Sequence, residues 1–353
     1  MNEFDVISAF FNCEQAPDET LLVPNGDDCA VIATQNQLPL AISVDTCIEG
    51  VHFPKKSTPK LIAKRALRTA LSDLAATGAT PKWVTMAITL PSIEPKWLSA
   101  FSKSLHKDLA HFGCALIGGD TTKGDRLSIT FTVMGECPTP ITRSGAQVGD
   151  SIYVTNTIGN GAAALYFLQH QLDAHLYSDE DKSVLKNRAK YAKRHFYKPA
   201  LTFDIAQVLA GTATAAIDIS DGLLADLTHI CTKSGVRAQL DINALPLSKH
   251  AKQLAKQKAD NALLNLPAWF NDSATDISDA EKTRLTWALT GGDDYELCFT
   301  ASEQALQSLD PAMREYFTCI GTIEALSDTA KPTVSLTLNG EPLNTALTGY
   351  CHF

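Results

Sequence analysis

Residues 58–91 read TPKLIAKRALRTALSDLAATGATPKWVTMAITLP. Two periods meet in this stretch. Up to Gly78 the apolar residues recur at helical spacing, with Thr58 placed to cap the helix and Pro59 in its first turn. From Trp83 the residues turn β-branched and the run ends at Pro91, as in a strand. A helix passing through one glycine turn into a strand predicts a mixed α/β or α+β layer.

The neighbours extend that pattern. LPLAISVDT (38–46) and LSITFTVMGE (127–136) read as strands, and residues 94–113 as an amphipathic helix closed by Gly113. CALIGGDTT (114–122) reads as a short strand running into a Gly-Asp loop. Residues 1–25 read as a helix and a loop. A first domain over residues 1–140 follows, ending near Pro138 and Pro140. A second, over 141–353, opens with a turn, a strand at 151–155, a glycine loop and a helix. Within it, ATAAIDISDGLLADLTHI (213–230) reads as strand, loop and helix, and LTGGDDYELCFTA (289–301) as loop and strand. Residues 247–288 are helical in tendency.

Composition narrows the function classes. A chain of 353 residues is long enough for two cores. Its formal charge of −9 disfavours nucleic acid and anionic lipid as partners. No apolar run reaches the ~18 residues of a membrane span. The stretch MNEFDVISAFFNCEQAPDE carries acids where a secretory leader has a basic region, so the expected compartment is the cytoplasm. Nine cysteines without a CxxC pair read as reduced, buried side chains.

Five acid-bearing segments are read as loops beside apolar strands or helices: GDDCAV (26–31), SVDTCIEGVHF (43–53), LSDLAATG (71–78), GGDTT (118–122) and IDISDGL (217–223). Each sets aspartate beside Gly, Ser or Thr, which is either turn chemistry or a ligand set for a hard cation such as Mg²⁺. Asp73 keeps two readings. It is an acid near an apolar helix face, which a cation or donor must meet, or an acid turned to solvent. Walker A, protein-kinase and Ser-His-Asp patterns are absent. TIGNGAA (157–163) before a helix reads first as a strand-to-helix turn and second as a phosphate cradle.

Taken in order, GDDCAV, SVDTCIEGVHF, LSDLAATGATP, GGDTT, TRSGAQVGD, IDISDGL, GGDDYEL and GYCHF resemble the thiamine-monophosphate kinase family, from about residue 26 to the C-terminus. The wider superfamily includes aminoimidazole ribonucleotide synthetase, selenophosphate synthetase and a hydrogenase maturation protein. The resemblance implies a two-domain α/β build, a homodimer paired through the N-terminal domain, and ATP as co-substrate with several Mg²⁺ ions.

Carried over residue by residue, Asp28, Ser43, Val44, Asp45, Asp73, Asp120, Asp218 and Asp221 match metal positions, Val44 through its backbone. Gly119, Asp120, Arg143 and Ser220 match ATP contacts. His52, Asp293 and Tyr350 match contacts to thiamine monophosphate. Alone, Arg143 reads as a surface residue in a turn, His52 as a structural histidine and Tyr350 equally as a C-terminal anchor. Asp293 stands where the family has Glu. The stretch 245–285 is longer than usual and reads as a helical insertion.

The acceptor implied is a phosphate monoester with a second pKa of ~6, already a dianion near neutrality, so no general base is expected. Rival readings are another ATP-using member of the superfamily and a sensor that binds without turnover. Cys13 lacks the Lys and Gly-rich setting of a selenophosphate synthetase, and Cys351 lies inside GYCHF, not at the end of the chain.

Overall fold

The computed structural model describes residues 20–23, 27–34, 38–170, 182–260, 277–327 and 331–343. Residues 1–19 and Tyr350 therefore lie outside the described residues. The chain divides into two compact units. One runs to Thr142 and includes a returning segment, Tyr197–Gly211; the other holds Arg143–Phe196 and the chain from Thr212 on.

The first unit contains β1 (Leu21–Val23), β2 (Ala30–Ile32), β3 (Leu40–Ile48), α1 (Pro59–Ala76), β4 (Thr80–Leu90), α2 (Pro95–His111), β5 (Ala115–Lys123) and β6 (Ser128–Glu136). The strands form one sheet in the order β1-β2-β3-β6-β4-β5. All neighbours are antiparallel except β4 and β5.

Helix α1 starts where the sequence predicts. Pro59 occupies its first turn and Thr58 is extended, but the Thr58 side chain makes no capping bond; its carbonyl accepts from Leu61 and Ile62. Ile62, Ala66, Leu67, Ala70, Leu71 and Leu74 are buried at three- and four-residue intervals. That stripe packs α1 on β3, β6 and β4, and against α2.

The acid segments sit in more regular structure than the sequence suggests. Ser43, Val44 and Asp45 lie within β3, Asp73 within α1, and GGDTT within β5. Glycine does not end the strand at 118–119 because β5 lies close on the backbone of β4. A Cβ at Gly119 would stand 2.0 Å from the Met86 carbonyl oxygen.

Strand alternation gives the sheet two different faces. Ile129, Phe131 and Val133 of β6 are buried, whereas Thr130, Thr132 and Met134 point the other way. Register places Val44 beside Thr132, Thr132 beside Thr85 and Met134 beside Trp83. On that second face Val44 is 61% exposed and Trp83 37%. Every residue of β5, an edge strand, is exposed, Leu116 and Ile117 included.

The second unit contains β7 (Ser151–Thr155), α3 (Asn160–His170) and α4 (Lys182–Tyr197). Helix α5 (Phe203–Leu209) belongs to the returning segment of the first unit. The second unit resumes with β8 (Ala215–Asp218), α6 (Leu223–Ser234), β9 (Arg237–Asp241), α7 (Lys249–Asp260) and α8 (Asp279–Thr290). It ends with β10 (Leu297–Ala301), α9 (Glu303–Gln307), α10 (Pro311–Arg314), β11 (Phe317–Glu324), β12 (Val334–Leu338) and β13 (Glu341–Leu343).

Its sheet runs β13-β12-β9-β11-β7-β10-β8, with β9 and β12 the parallel pair. Ile152, Val154, Ile217, Leu223, Leu227 and Leu289 sit in its core. Within the described part of the 245–285 stretch, helices begin at Lys249 and Asp279. Helices α7 and α8 pack on each other and on α3, burying Ala251, Leu254 and Ala255. These helices are integral to the layer; the segment between them lies outside the described residues.

Candidate active site

In the first unit, alternation along β3 sorts the predicted ligands. Ala41 and Cys47 are buried under the helices, so Ser43 and Asp45, at even offsets from them, share that face. Val44 faces the opposite way and offers only its backbone to the Ser43 side.

Asp73 meets β3 from α1: the Ser43 hydroxyl donates to its Oδ2 at 2.5 Å. The solvent-facing reading of Asp73 therefore falls. The buried Asp28 (7% exposed) brings a carboxylate oxygen within 4.8 Å of one from Asp73. Both acids are felt by the intervening thiol. Burial first, then the charge of Asp73 and to a lesser degree that of Asp28, pushes the Cys29 pKa well up. Two carboxylates and a hydroxyl, from the bend before β2, from α1 and from β3, are hard oxygen donors, and this donor set fits Mg²⁺.

The same sheet keeps other predicted ligands apart. Asp45 pairs with Phe131, Phe131 with Met86 and Met86 with Gly119. Gly119 thus lies three strand spacings, about 14 Å, from Asp45. Asp120 follows it on β5, its Oδ1 accepting the Thr121 N–H at 2.8 Å. His52 lies past the end of β3. Its Nδ1 accepts the Ile48 N–H at 2.9 Å, which places the ring proton on Nε2, and its carbonyl accepts from Arg65 Nε at 2.7 Å. The bond from Ile48 holds the imidazole in a fixed orientation.

In the second unit the site is a set of loops at strand ends. Asp218, buried, ends β8. The following residues Ser220, Asp221 and Gly222 all point their N–H groups at Asp226 Oδ2, at 3.1, 3.2 and 3.1 Å. Asp226 lies in the first turn of α6 and is itself buried. One carboxylate thereby fixes the backbone that carries Ser220 and Asp221. Arg143 belongs to this unit too, its carbonyl accepting from the Ser234 hydroxyl at 3.1 Å. The nearby His229 has its pKa lowered to about 4, by burial first and then by the Arg143 charge.

The 291–296 loop is zipped onto the 219–222 loop. Asp293 N–H donates to the Ser220 carbonyl, Tyr295 N–H to that of Ile219, and Ile219 N–H to that of Glu296, each at 2.8 Å. Asp293 carries a positive φ of 61°, and its Oδ1 accepts the Tyr295 hydroxyl at 3.0 Å.

Sequence reading passed over three acids here. Asp226 bore a readable signal, an acid in the first turn of a helix. Asp294 and Glu296 bore none, because their partners lie more than a hundred positions away. Asp294 accepts from the Gly159 and Gly161 N–H groups, and Glu296 from Thr155 and Asn156. The N–H groups of the TIGNGAA loop are therefore occupied by an internal carboxylate, which decides for the turn reading over the phosphate cradle.

Known protein families match both parts of the chain. The family described as AIR synthase related protein, N-terminal domain, matches residues 26–137, and the corresponding C-terminal domain family matches residues 147–280. The thiamine-monophosphate kinase of Haemophilus influenzae is 37% identical over 359 residues, covering 100% of this chain and 98% of the relative. That of Escherichia coli strain K12 is 38% identical over 356 residues, covering 99% and 98%. The solved structure of AaThiL complexed with AMPPCP and TMP superposes with a TM-score of 0.77 at 25% identity, covering 100% of this chain and 97% of that one.

Proposed function

This chain belongs to the thiamine-monophosphate kinase family of AIR synthase related proteins, and we propose that it transfers the γ-phosphate of ATP to thiamine monophosphate, releasing thiamine diphosphate and ADP. The observation that carries this reading is the oxygen-donor grouping of Asp28, Asp73 and Ser43 in a chain alike over its whole length to kinases of that name.

The chemistry asks little of a general base. The acceptor is a phosphate dianion, and one of its oxygens attacks the γ-phosphorus as the bond to the ADP oxygen breaks. The obstacle is charge. Two unit like charges at 4 Å repel by about 4 kcal/mol at an effective dielectric of 20. Mg²⁺, when bound, supplies neutralisation of that charge on both phosphates and on the transferring group. We assign the metal positions to Asp28, Ser43, Asp45, Asp73, Asp120, Asp218 and Asp221, with the Val44 backbone. ATP is held by Gly119, Asp120, Arg143 and Ser220, where the Arg143 guanidinium suits a phosphate. His52, Asp293 and Tyr350 hold the acceptor. Since the acceptor dianion can attack directly, in-line transfer in one step is the expected course.

Assembly as a homodimer is supported by the second face of the first unit's sheet. Val44 and Trp83 present apolar area there, beside threonines. A cytoplasmic setting, where ATP and Mg²⁺ are abundant, matches the substrates.

The test is a product assay with ATP, Mg²⁺ and thiamine monophosphate, run beside free thiamine. ADP and thiamine diphosphate are expected only with the monophosphate. Turnover of free thiamine, or none of either, overturns the reading. With a chiral γ-phosphate the product is expected inverted; retention indicates a phosphoenzyme. Asp45→Asn and Asp120→Asn are each expected to lower kcat by several orders of magnitude at saturating Mg²⁺.

A further inference from the structure

The acid next to the proposed substrate contact is buried, and its partners are not those expected of a ligand. Asp294 is 8% exposed. Its Oδ2 accepts the Gly159 N–H at 2.6 Å and its Oδ1 the Gly161 N–H at 2.9 Å. These donors flank the start of α3, an 11-residue helix whose N-terminus favours an anion. The chain supplies that anion itself.

The backbone around Asp294 is strained on both sides. Asp293 has φ 61° and Tyr295 φ 53°, left-handed conformations that non-glycine residues rarely hold. Such strain persists only where the surroundings over-determine it. Three restraints do so here. Asp293 N–H is tied to Ser220, Tyr295 N–H to Ile219, and the residue between them is clamped to the glycine loop. The clamp is also tight sterically: a Cβ on Gly161 would fall 2.2 Å from the Asp293 carbonyl oxygen. Burial pushes the Asp294 pKa up to about 7 against the pull of the N–H donors, so this contact is made at a cost in desolvation. Desolvation and strain thus converge on a two-residue step whose partly exposed member is Asp293.

We propose that Asp294 is a positioning residue: by clamping the 291–296 loop to the glycine loop at the start of α3, it holds the strained backbone from which Asp293 meets the acceptor substrate. The inference rests on the reading of Asp293 as a contact to thiamine monophosphate. It also accounts for the glycine at position 161 of this chain, since the close approach leaves no room for a side chain.

The test uses the full-length protein. Wild type is assayed first with ATP, Mg²⁺ and thiamine monophosphate. No turnover there defeats the functional reading, and nothing further is asked of Asp294. Given turnover, Asp294→Asn keeps the shape but puts an NH₂ against one of the two loop N–H groups. KM for thiamine monophosphate is expected to rise at least tenfold while KM for ATP stays within twofold. In an Asp293→Ala background the same substitution is expected to add no further change in that KM. Gly161→Ala leaves both carboxylates in place, forces the clamp apart, and is expected to reproduce the KM split. An unchanged KM for the acceptor, equal shifts for both substrates, or full additivity with Asp293→Ala overturns the proposal. If neither single variant folds, the clamp is a requirement of folding and the positioning role is likewise overturned.

Discussion

Asp73 is read from its partners, and so is its expected loss. The Ser43 hydroxyl and the Asp28 carboxylate meet it on the helix-facing side of β3. Asp73→Asn removes one charge from a close acid pair, so a higher Mg²⁺ concentration for half-maximal rate and a kcat lower by about a hundredfold or more are expected. A Mg²⁺ titration of activity that superposes on wild type would remove Asp73 from the ligand set. Glu296 makes a different forecast. Burial, ahead of the Thr155 and Asn156 donors that oppose it, raises its pKa to about 8. An unfolded Glu titrates near ~4.3, so the folded state holds the proton more tightly. Its contribution to stability therefore falls as pH rises from about 4 to about 8. Glu296→Gln should melt several degrees higher than wild type at pH 8.5 and at the same temperature at pH 4. Matching melting curves at both pH values would contradict the shift.

Among the elements, the loop between β8 and α6 depends on a single side chain. Asp226 Oδ2 takes three successive N–H groups. Asp226→Ala leaves all three without that acceptor, at about 1–3 kcal/mol for each one kept from water. A loss of a few kcal/mol in chemical denaturation is expected, with kcat reduced because Ser220 and Asp221 ride on the same loop. Asp226→Asn keeps one acceptor and should lose less. Stability equal to wild type in both variants would show that the loop holds its shape by other means. The same element-level logic explains the corrected boundaries. GGDTT has the composition of a turn, yet Gly119 serves the close approach of β5 to β4.

For the whole molecule, the first unit's sheet is the informative feature. One face packs on α1, and the other shows Val44, Trp83 and threonines in register across β3, β6 and β4. In the proposed homodimer a second copy of the chain would cover Val44 and Trp83. Sedimentation is expected to give a dimer for wild type and a monomer for Trp83→Asp. A wild-type monomer at assay concentration would exclude pairing through this face. On the proposed function, substrate binding should also stabilise the fold, since a ligand that binds the folded chain alone draws the equilibrium toward it. A melting temperature that rises with ATP plus Mg²⁺ and falls back on chelation is expected.

Much of this was legible in the sequence alone. Helices α1 and α2, the strands around them and the strand–loop–helix at 215–234 follow from local period and turn chemistry, which act between near neighbours. The ordered acid motifs named the family and the chemistry. Their geometry was not legible. That Asp73 turns to Ser43, that Asp294 spends its charge on backbone N–H groups, and that TIGNGAA is filled from within all depend on residues brought together across long separations. A buried carboxylate is stable only where donors or a cation meet it, and which of these it meets is decided by packing.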